Sequence, residues 1–275
     1  MAKLVCMALG ALTGCMLTFP QAAMAAAREG IALFLDRVLP ALFPTLTVML
    51  LITSRLPRAA IVCTLLSLLS GSPAGARLCA GLSLSSRQKH RLAALTGTMS
   101  PMFLLSSLPV ISNLPIGLPV LICHLAGAAL CAFICCPFGE NEQRSSSSPP
   151  QPLSLSQAIW EALKSMGVVL GCITLSTVLI AMLQKAFPFL PHPAFAVLHL
   201  LIEVTGGLKT LADSSLPHRG LLCTLFTSFC GLSILMQNAA FWQKGGVGIM
   251  RLFVYRLVHA VISGMLYILL FGCSL

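Results

Sequence analysis

The residues able to do chemistry in this chain are few, and they gather around interruptions of otherwise apolar sequence. The sharpest is Glu203, which follows AFAVLHLLI and precedes Gly207 and Lys209. An acid at membrane depth is costly and defaults to a functional or a paired role. Pairing with Lys209 would bracket the glycine break without any ligand, so both readings stand. Gln237 and Asn238 sit in SILMQNAAFW, where carboxamides read a polar cargo or bind another helix. Thr98, Ser100 and Ser233 lie in broken apolar segments, and hydroxyls there suit a small cavity or a helix crossing. A second break, LLSGSPAGARL, carries Gly71, Ser72, Pro73 and Gly75, and Ser100 is followed directly by Pro101. Together these groups offer hydrogen bonds and charge to a bound solute.

Bond-making chemistry has no comparable footing. His124 lies mid-span, His90, His192 and His218 border loops, and His199 and His259 sit in apolar tracts. None has an HExxH or carboxylate partner at ligand spacing. Most of the twelve cysteines lie inside apolar tracts, where a thiol behaves as a small hydrophobe. Cys135 and Cys136 are adjacent rather than in a CxxC pair. Gly245 to Gly248 reads GGVG but lacks the Lys-Ser/Thr of a P-loop. With no Ser-His-Asp order and only Asp36 and Asp213 as aspartates, the expectation is no metal, no cofactor and no enzymatic activity.

The elements that must position these groups follow from composition. The 275 residues are 57% hydrophobic and 9% charged, with mean hydropathy +0.94, against about 25% charged in globular proteins. Several tracts approach or exceed the roughly 20 residues that cross a bilayer as a helix, and the alternation of a β-barrel is absent. The predicted class is an all-α, polytopic helical membrane protein. The net charge of +10 comes from dispersed basic residues at segment ends, without interleaved aromatics. Such charges orient helices in a lipid bilayer and do not make a nucleic-acid site.

Lys3, an apolar run and AAMAAA resemble a signal peptide, but a further membrane protein follows and a retained first segment is favoured. Apolar segments are predicted at Leu4–Phe19, Ile31–Thr53, Ala59–Leu69, Leu92–Val110 (broken by TGTMSPMF), Ile116–Phe138, Trp160–Leu183, Phe195–Val204, Leu221–Phe241 and Ile249–Phe271. That makes about eight or nine hydrophobic segments, with Arg28 and Glu29 in a polar interval between the first two. Pro40 and Pro44 should bend the second. Ala59–Leu69 is too short to span alone. GENEQRSSSSPPQPL reads as an exposed linker. The organisation is thus 1–24, an N-terminal hydrophobic segment; 25–138, a first repeat; 139–156, the linker; and 157–275, a second repeat. Each half runs long span, short apolar segment, glycine break, broken segment, closing span. Sliding Gly75 onto Gly207 aligns Ala80, Ser83, Leu84 and Arg87 with Ala212, Ser215, Leu216 and Arg219. Paired Gly/Pro-interrupted segments in corresponding positions point to a transporter binding site. The alternative is ordinary surface loops, which the nearby Arg77 and Lys209 favour. If every apolar segment spans, the halves are parallel; if the short segments are re-entrant, the count changes and inverted repeats become possible.

AAAREGIALFLDRVLPALFPTLTVMLL, LLSGSPAGARL and LAALTGTMSPMFLLSS resemble the YlbJ-like sporulation integral membrane proteins of spore-forming Firmicutes, within the nucleoside-recognition (Gate) superfamily. LIEVTGGLKTLADSSLPHRG and FCGLSILMQ are similar to the second half of that group. Pro40 and Pro44 match its LP-x-LFP segment, Gly71, Pro73, Gly75 and Arg77 its glycine-proline segment, and Ser100-Pro101 its SP pair. Glu203, Gly207 and Lys209, then Gly231, Ser233 and Gln237, match its second-half patterns. Ser72 stands where an aromatic is usual, and Gly97-Thr98-Met99 replaces an asparagine-containing approach. The resemblance implies two Gate-like repeats in a sporulation-associated permease of the cell membrane. It would carry a nucleoside, metabolite or ion by alternating access, driven by a gradient. The other reading is a non-transporting assembly protein of the sporulation membrane. Expected partners are the lipid bilayer, a small polar solute with a coupling ion, and a second copy or other sporulation membrane proteins.

Overall fold

The computed structural model describes residues 2–56, 60–80, 82, 84–136 and 152–272, so most of the predicted linker, 139–151, lies outside the described residues. Among the described residues every regular element is helical. α1 (Ala2–Thr18) is followed at once by α2 (Pro20–Arg55), a helix of 36 residues. The polar interval at Arg28 and Glu29 therefore lies inside a helix rather than between two. MAAAREG contains strong helix formers, and Gly30 sits where a Cβ would come within 2.9 Å of Thr174 Cα on the facing helix. The expected disturbance at Pro40 takes the form of one π-helical turn, Phe34–Val38, after which Leu39 N–H bonds the carbonyl of Phe34 five residues back. Proline has no N–H and its ring clashes with the carbonyl four residues earlier; widening the preceding turn accommodates it. The same device recurs at Phe103–Ser107 before Pro109. FLDRVLP and FLLSSLP share Phe-Leu at the start and Leu-Pro at the end.

Two short helix pairs turn back on themselves. α3 (Ala60–Ser70) and α4 (Ala74–Ala80) meet at Gly71, whose φ is +71°. A Cβ there would lie 2.3 Å from the backbone nitrogen of Ser100, so only glycine fits. α5 (Ser86–Leu95) begins with a capping box of Ser85 and Gln88. It ends at an irregular stretch, 96–100, and the chain resumes as α6 (101–112) and then α7 (Gly117–Cys135). After the undescribed stretch come α8 (Leu155–Ala186), capped by Ser154 and Gln157, and the second pair, α9 (His192–Ile202) and α10 (Val204–Ala212). α11 (Arg219–Phe229) and α12 (Gly231–Trp242) are separated by Cys230 and Gly231, both left-handed. The segment Leu221–Phe241, expected as the broken segment of the second half, is two half-helices. α13 (Ile249–Phe271) closes the fold as predicted.

Contacts fix the directions. Leu46, Met49 and Leu50 pack with Ala158, Ala162 and Met166, while Ala23 and Ala26 pack with Val178 and Met182. α2 and α8 are therefore antiparallel. Arg77 of α4 reaches Glu161 near the start of α8, so the α3–α4 hairpin enters from the Glu161 face. Leu208 and Leu211 pack with Ile116 and Tyr267, so the α9–α10 hairpin enters from the other, the Asp213 face. The short segments are re-entrant, and they come in from opposite sides.

Among the described residues five helical stretches are long and apolar enough to cross a membrane: Pro20–Arg55, Gly117–Cys135, Leu155–Ala186, Arg219–Trp242 and Ile249–Phe271. Their outward faces carry exposed large apolar side chains such as Leu175, Val261 and Leu269, a surface that suits acyl chains rather than water. This is a multi-pass, all-helical membrane protein, consistent with residence in the cell membrane.

Candidate functional site

The four interruptions meet at one place. A narrow cavity of about 50 Å³ is lined by Ser72 from the first hairpin, Met99 and Ser100 from the α5–α6 break, and Glu203 and Thr205 from the second hairpin. Ile234 and Gln237 of α12 complete its polar and apolar rim, with Arg37, Val38, Ala41 and Leu42 of α2 opposite. Arg37, Glu203 and Thr205 also line a wider vestibule of about 450 Å³, together with Glu29, Asn113, Thr177, His199, Lys209 and Asp213. The vestibule is of the size that holds small molecules, and it leads toward the Asp213 face.

Glu203 is 2% exposed. Its extended backbone ends α9, and its carboxylate caps α10: Oε1 accepts from Thr205 N–H at 3.0 Å and Oε2 from Gly206 N–H at 2.5 Å. The negative charge thus sits on the positive end of a half-helix. Among the described residues it makes no ion pair with Lys209, which is exposed in the vestibule. Lys209 lies past the first turn of α10 with its side chain in the vestibule, so the helix N-terminus, and not lysine, compensates the acid.

Around the narrow cavity the polar groups form a chain. Ser72 N–H donates to the carbonyl of Thr98 at 2.7 Å, and Asn238 Nδ2 donates to Ser72 Oγ at 3.1 Å. Gln237 Nε2 donates to Ser233 Oγ at 3.4 Å. Thr98 Oγ1 and Asn238 Oδ1 are buried with no hydrogen-bonding partner among the described residues. Ser100 Oγ accepts from Phe103 N–H at 3.2 Å and caps α6, with Pro101 in its first turn. Of the predicted site residues, Ser72, Ser100, Glu203 and Gln237 face the narrow cavity and Lys209 the vestibule. Thr98, Ser233 and Asn238 stand behind them. Gly71, Pro73 and Pro101 shape the turns. Gly75 and Gly207 serve close packing: a Cβ on Gly207 would lie 2.6 Å from the backbone of Leu200, and one on Gly75 3.0 Å from Ser67.

Sequence reasoning missed Arg256. It is 2% exposed within α13, and its guanidinium donates to the carbonyls of Ala94 and Gly97, with a longer bond of 3.4 Å to Ala93. These carbonyls end α5, so Arg256 does for a helix C-terminus what Glu203 does for an N-terminus. It also donates to His259 Nδ1 at 3.1 Å, which leaves Nε2–H to donate to the carbonyl of His124 at 2.8 Å. His124 Nε2 accepts from Met99 N–H at 2.9 Å, so its Nδ1 carries the proton toward Ser228 Oγ, 2.9 Å away. One network from α13 and α7 thereby holds the α5–α6 break and the end of α11. An arginine inside an apolar span was a visible signal; its backbone partners were not. Arg37, Thr205 and His199 were also missed as cavity residues.

Among the described residues no three His, Cys, Asp or Glu side chains gather as metal ligands. No protein-family model matches the chain, and comparison with curated proteins and with solved structures yields no match either.

Proposed function

We propose that the chain is a carrier of a small polar solute working by alternating access. One observation carries the reading: three helix interruptions, two from hairpins entering from opposite faces, line one cavity with the half-helix α12, and that cavity shares Arg37, Glu203 and Thr205 with a wide vestibule. Irregular backbone at membrane depth is tolerated where it is buried in protein or lines a wet cavity, and broken helices at the midplane are how secondary transporters hold their cargo. The order of long span, hairpin, broken helix and closing span in both halves supports two inverted Gate-like repeats. It also supports the resemblance to the sporulation membrane proteins. The Glu161 face carries Arg55, Arg77, Arg87, Lys89, Arg91, Lys164, Lys244 and Arg251, against Arg28, Lys185, Lys209 and Arg219 at the other. Counting basic residues puts the Glu161 face in the cytoplasm and the vestibule outward.

The test is reconstitution of the full chain in proteoliposomes, with counterflow of labelled amino acids, nucleosides, dicarboxylates and monovalent cations. A saturable exchange that Gln237→Ala weakens supports the carrier. Flat counterflow for every solute, from protein that melts cooperatively, rejects it in favour of a non-transporting assembly role in the same membrane.

A further inference from the structure

We propose that the cavity takes a small aliphatic zwitterion, its anionic group held by Arg37 and its ammonium group by Glu203; this rests on the carrier reading above. Arg37 lies near the middle of α2, in the π-helical turn, and lines both the narrow cavity and the vestibule. A guanidinium does not shed its proton in a protein, and Arg37 is exposed, so its charge is open to an anionic group entering by the vestibule. Among the described residues it has neither an ion pair nor a hydrogen bond from its side chain. Asp36, the adjacent acid, lines neither cavity, as neighbours one residue apart on a helix face different ways.

Glu203 lines the same two cavities. Each of its oxygens receives one backbone N–H, and a carboxylate offers about four lone-pair sites. Acceptor capacity therefore remains for a bound donor. The two charges share one cavity without being bonded to each other, and a solute carrying both signs satisfies both. A dianion meets Glu203, a dication meets Arg37, and a neutral polar solute leaves the buried Glu203 carboxylate without a counter-charge. Apart from Ser72, Ser100, Thr205 and Gln237, the rest of the wall is apolar, with Val38, Leu42, Phe103, Val169, Ile173 and Ile234 among it. That surface suits an aliphatic side chain. At the vestibule mouth Glu29 and Asp213 stand with Lys209, so neither sign of net charge dominates the approach.

The experiment is isothermal titration of the purified full chain in nanodiscs with L-alanine, L-leucine, L-alaninamide, propionate, succinate and uridine. Alaninamide lacks the anionic group and propionate the ammonium. The expected result is saturable binding of at least one amino acid. L-alaninamide and propionate each bind at least about tenfold more weakly, the scale of one charge-assisted hydrogen bond. Arg37→Gln abolishes the preference over the amide, and Glu203→Gln, which keeps a capping oxygen, abolishes the preference over propionate. Arg37→Lys, which keeps the charge, retains part of the first preference and guards against a folding artefact. Binding of uridine or succinate with affinity unchanged in Arg37→Gln, and none of either amino acid, overturns the zwitterion and leaves the carrier. Absence of binding by all six, with flat counterflow, removes both.

Discussion

Replacing Arg256 with methionine is the sharpest test of how the broken helices are held. The guanidinium's bonds to Ala94 and Gly97 are charge-assisted, about 1.5–3 kcal/mol each. Losing both costs about 3–6 kcal/mol, and the longer bond to Ala93 adds little. Removing the cation also returns part of its desolvation penalty, which for a buried ion is several kcal/mol. A net loss of about 2–4 kcal/mol follows, and with each kcal/mol worth roughly 2–4 °C in a chain of this size, the midpoint should fall by roughly 5–15 °C. The assay is thermal unfolding in one detergent, followed by the fluorescence of Trp160 and Trp242. Arg256→Lys should recover part of the loss, because an ammonium is a point charge without the planar fork. Gly97→Ala supplies an independent handle. A Cβ at Gly97 would lie 2.7 Å from Arg256 Cζ, so it displaces the same guanidinium. The double variant Gly97→Ala/Arg256→Met should therefore melt close to Arg256→Met alone, a departure from additivity expected for contacting residues. An Arg256→Met protein within 2 °C of wild type, an interval of under about 1 kcal/mol, would refute the capping role. Additive losses in the double variant would refute the shared mechanism.

Three further outcomes follow from the geometry. Glu203→Ala should lose about 1–2 kcal/mol through the missing cap of α10, while Glu203→Gln stays within about 1 kcal/mol of wild type, both read by the same melting assay. Gly207→Ala must part α9 from α10, since its Cβ would meet Leu200 N and Cα at 2.6 Å; a loss of about 1–3 kcal/mol is expected of such overpacking, and an unchanged midpoint would show that the hairpin is not close-packed. A reporter fused after Phe271 should lie outside the cytoplasm, because α13 runs from the Glu161 face to the Asp213 face. Alkaline phosphatase there should be active and a fluorescent protein dark, and the reverse pattern would invert the proposed orientation.

The spans, the glycine breaks and the polar residues beside them were legible because composition and punctuation are local signals. Whether a short apolar segment crosses or turns back was not. Ala60–Ser70 and His192–Ile202 are ambiguous by length, and what decides is the close approach that Gly71 and Gly207 allow to backbone elsewhere in the chain. The π-helical turns escaped notice although FLDRVLP and FLLSSLP announce them together, since proline was read as a bend and not as a widening of the preceding turn. Arg37 stood in plain view inside the predicted segment Ile31–Thr53. Placing it in a cavity required knowing that α2 begins at Pro20, which puts the arginine mid-helix. Glu203 was found by its cost, but its partners are two backbone amides, and no side-chain pattern encodes those.

The reach of Arg256 bears on biosynthesis. Its acceptor on Gly97 lies 159 residues earlier in the chain, and a ribosome makes the first half long before the last span exists. Until α13 is inserted, the carbonyls that end α5 have no guanidinium, and a bilayer gives them no substitute donor. The early hairpin and its broken neighbour must wait at the interface, or beside an insertase or water-filled cleft, as an unfinished piece. Completion of the cavity is thus tied to the final span, and a chain stopped before Ile249 would leave its first break exposed to the quality-control proteases of the membrane.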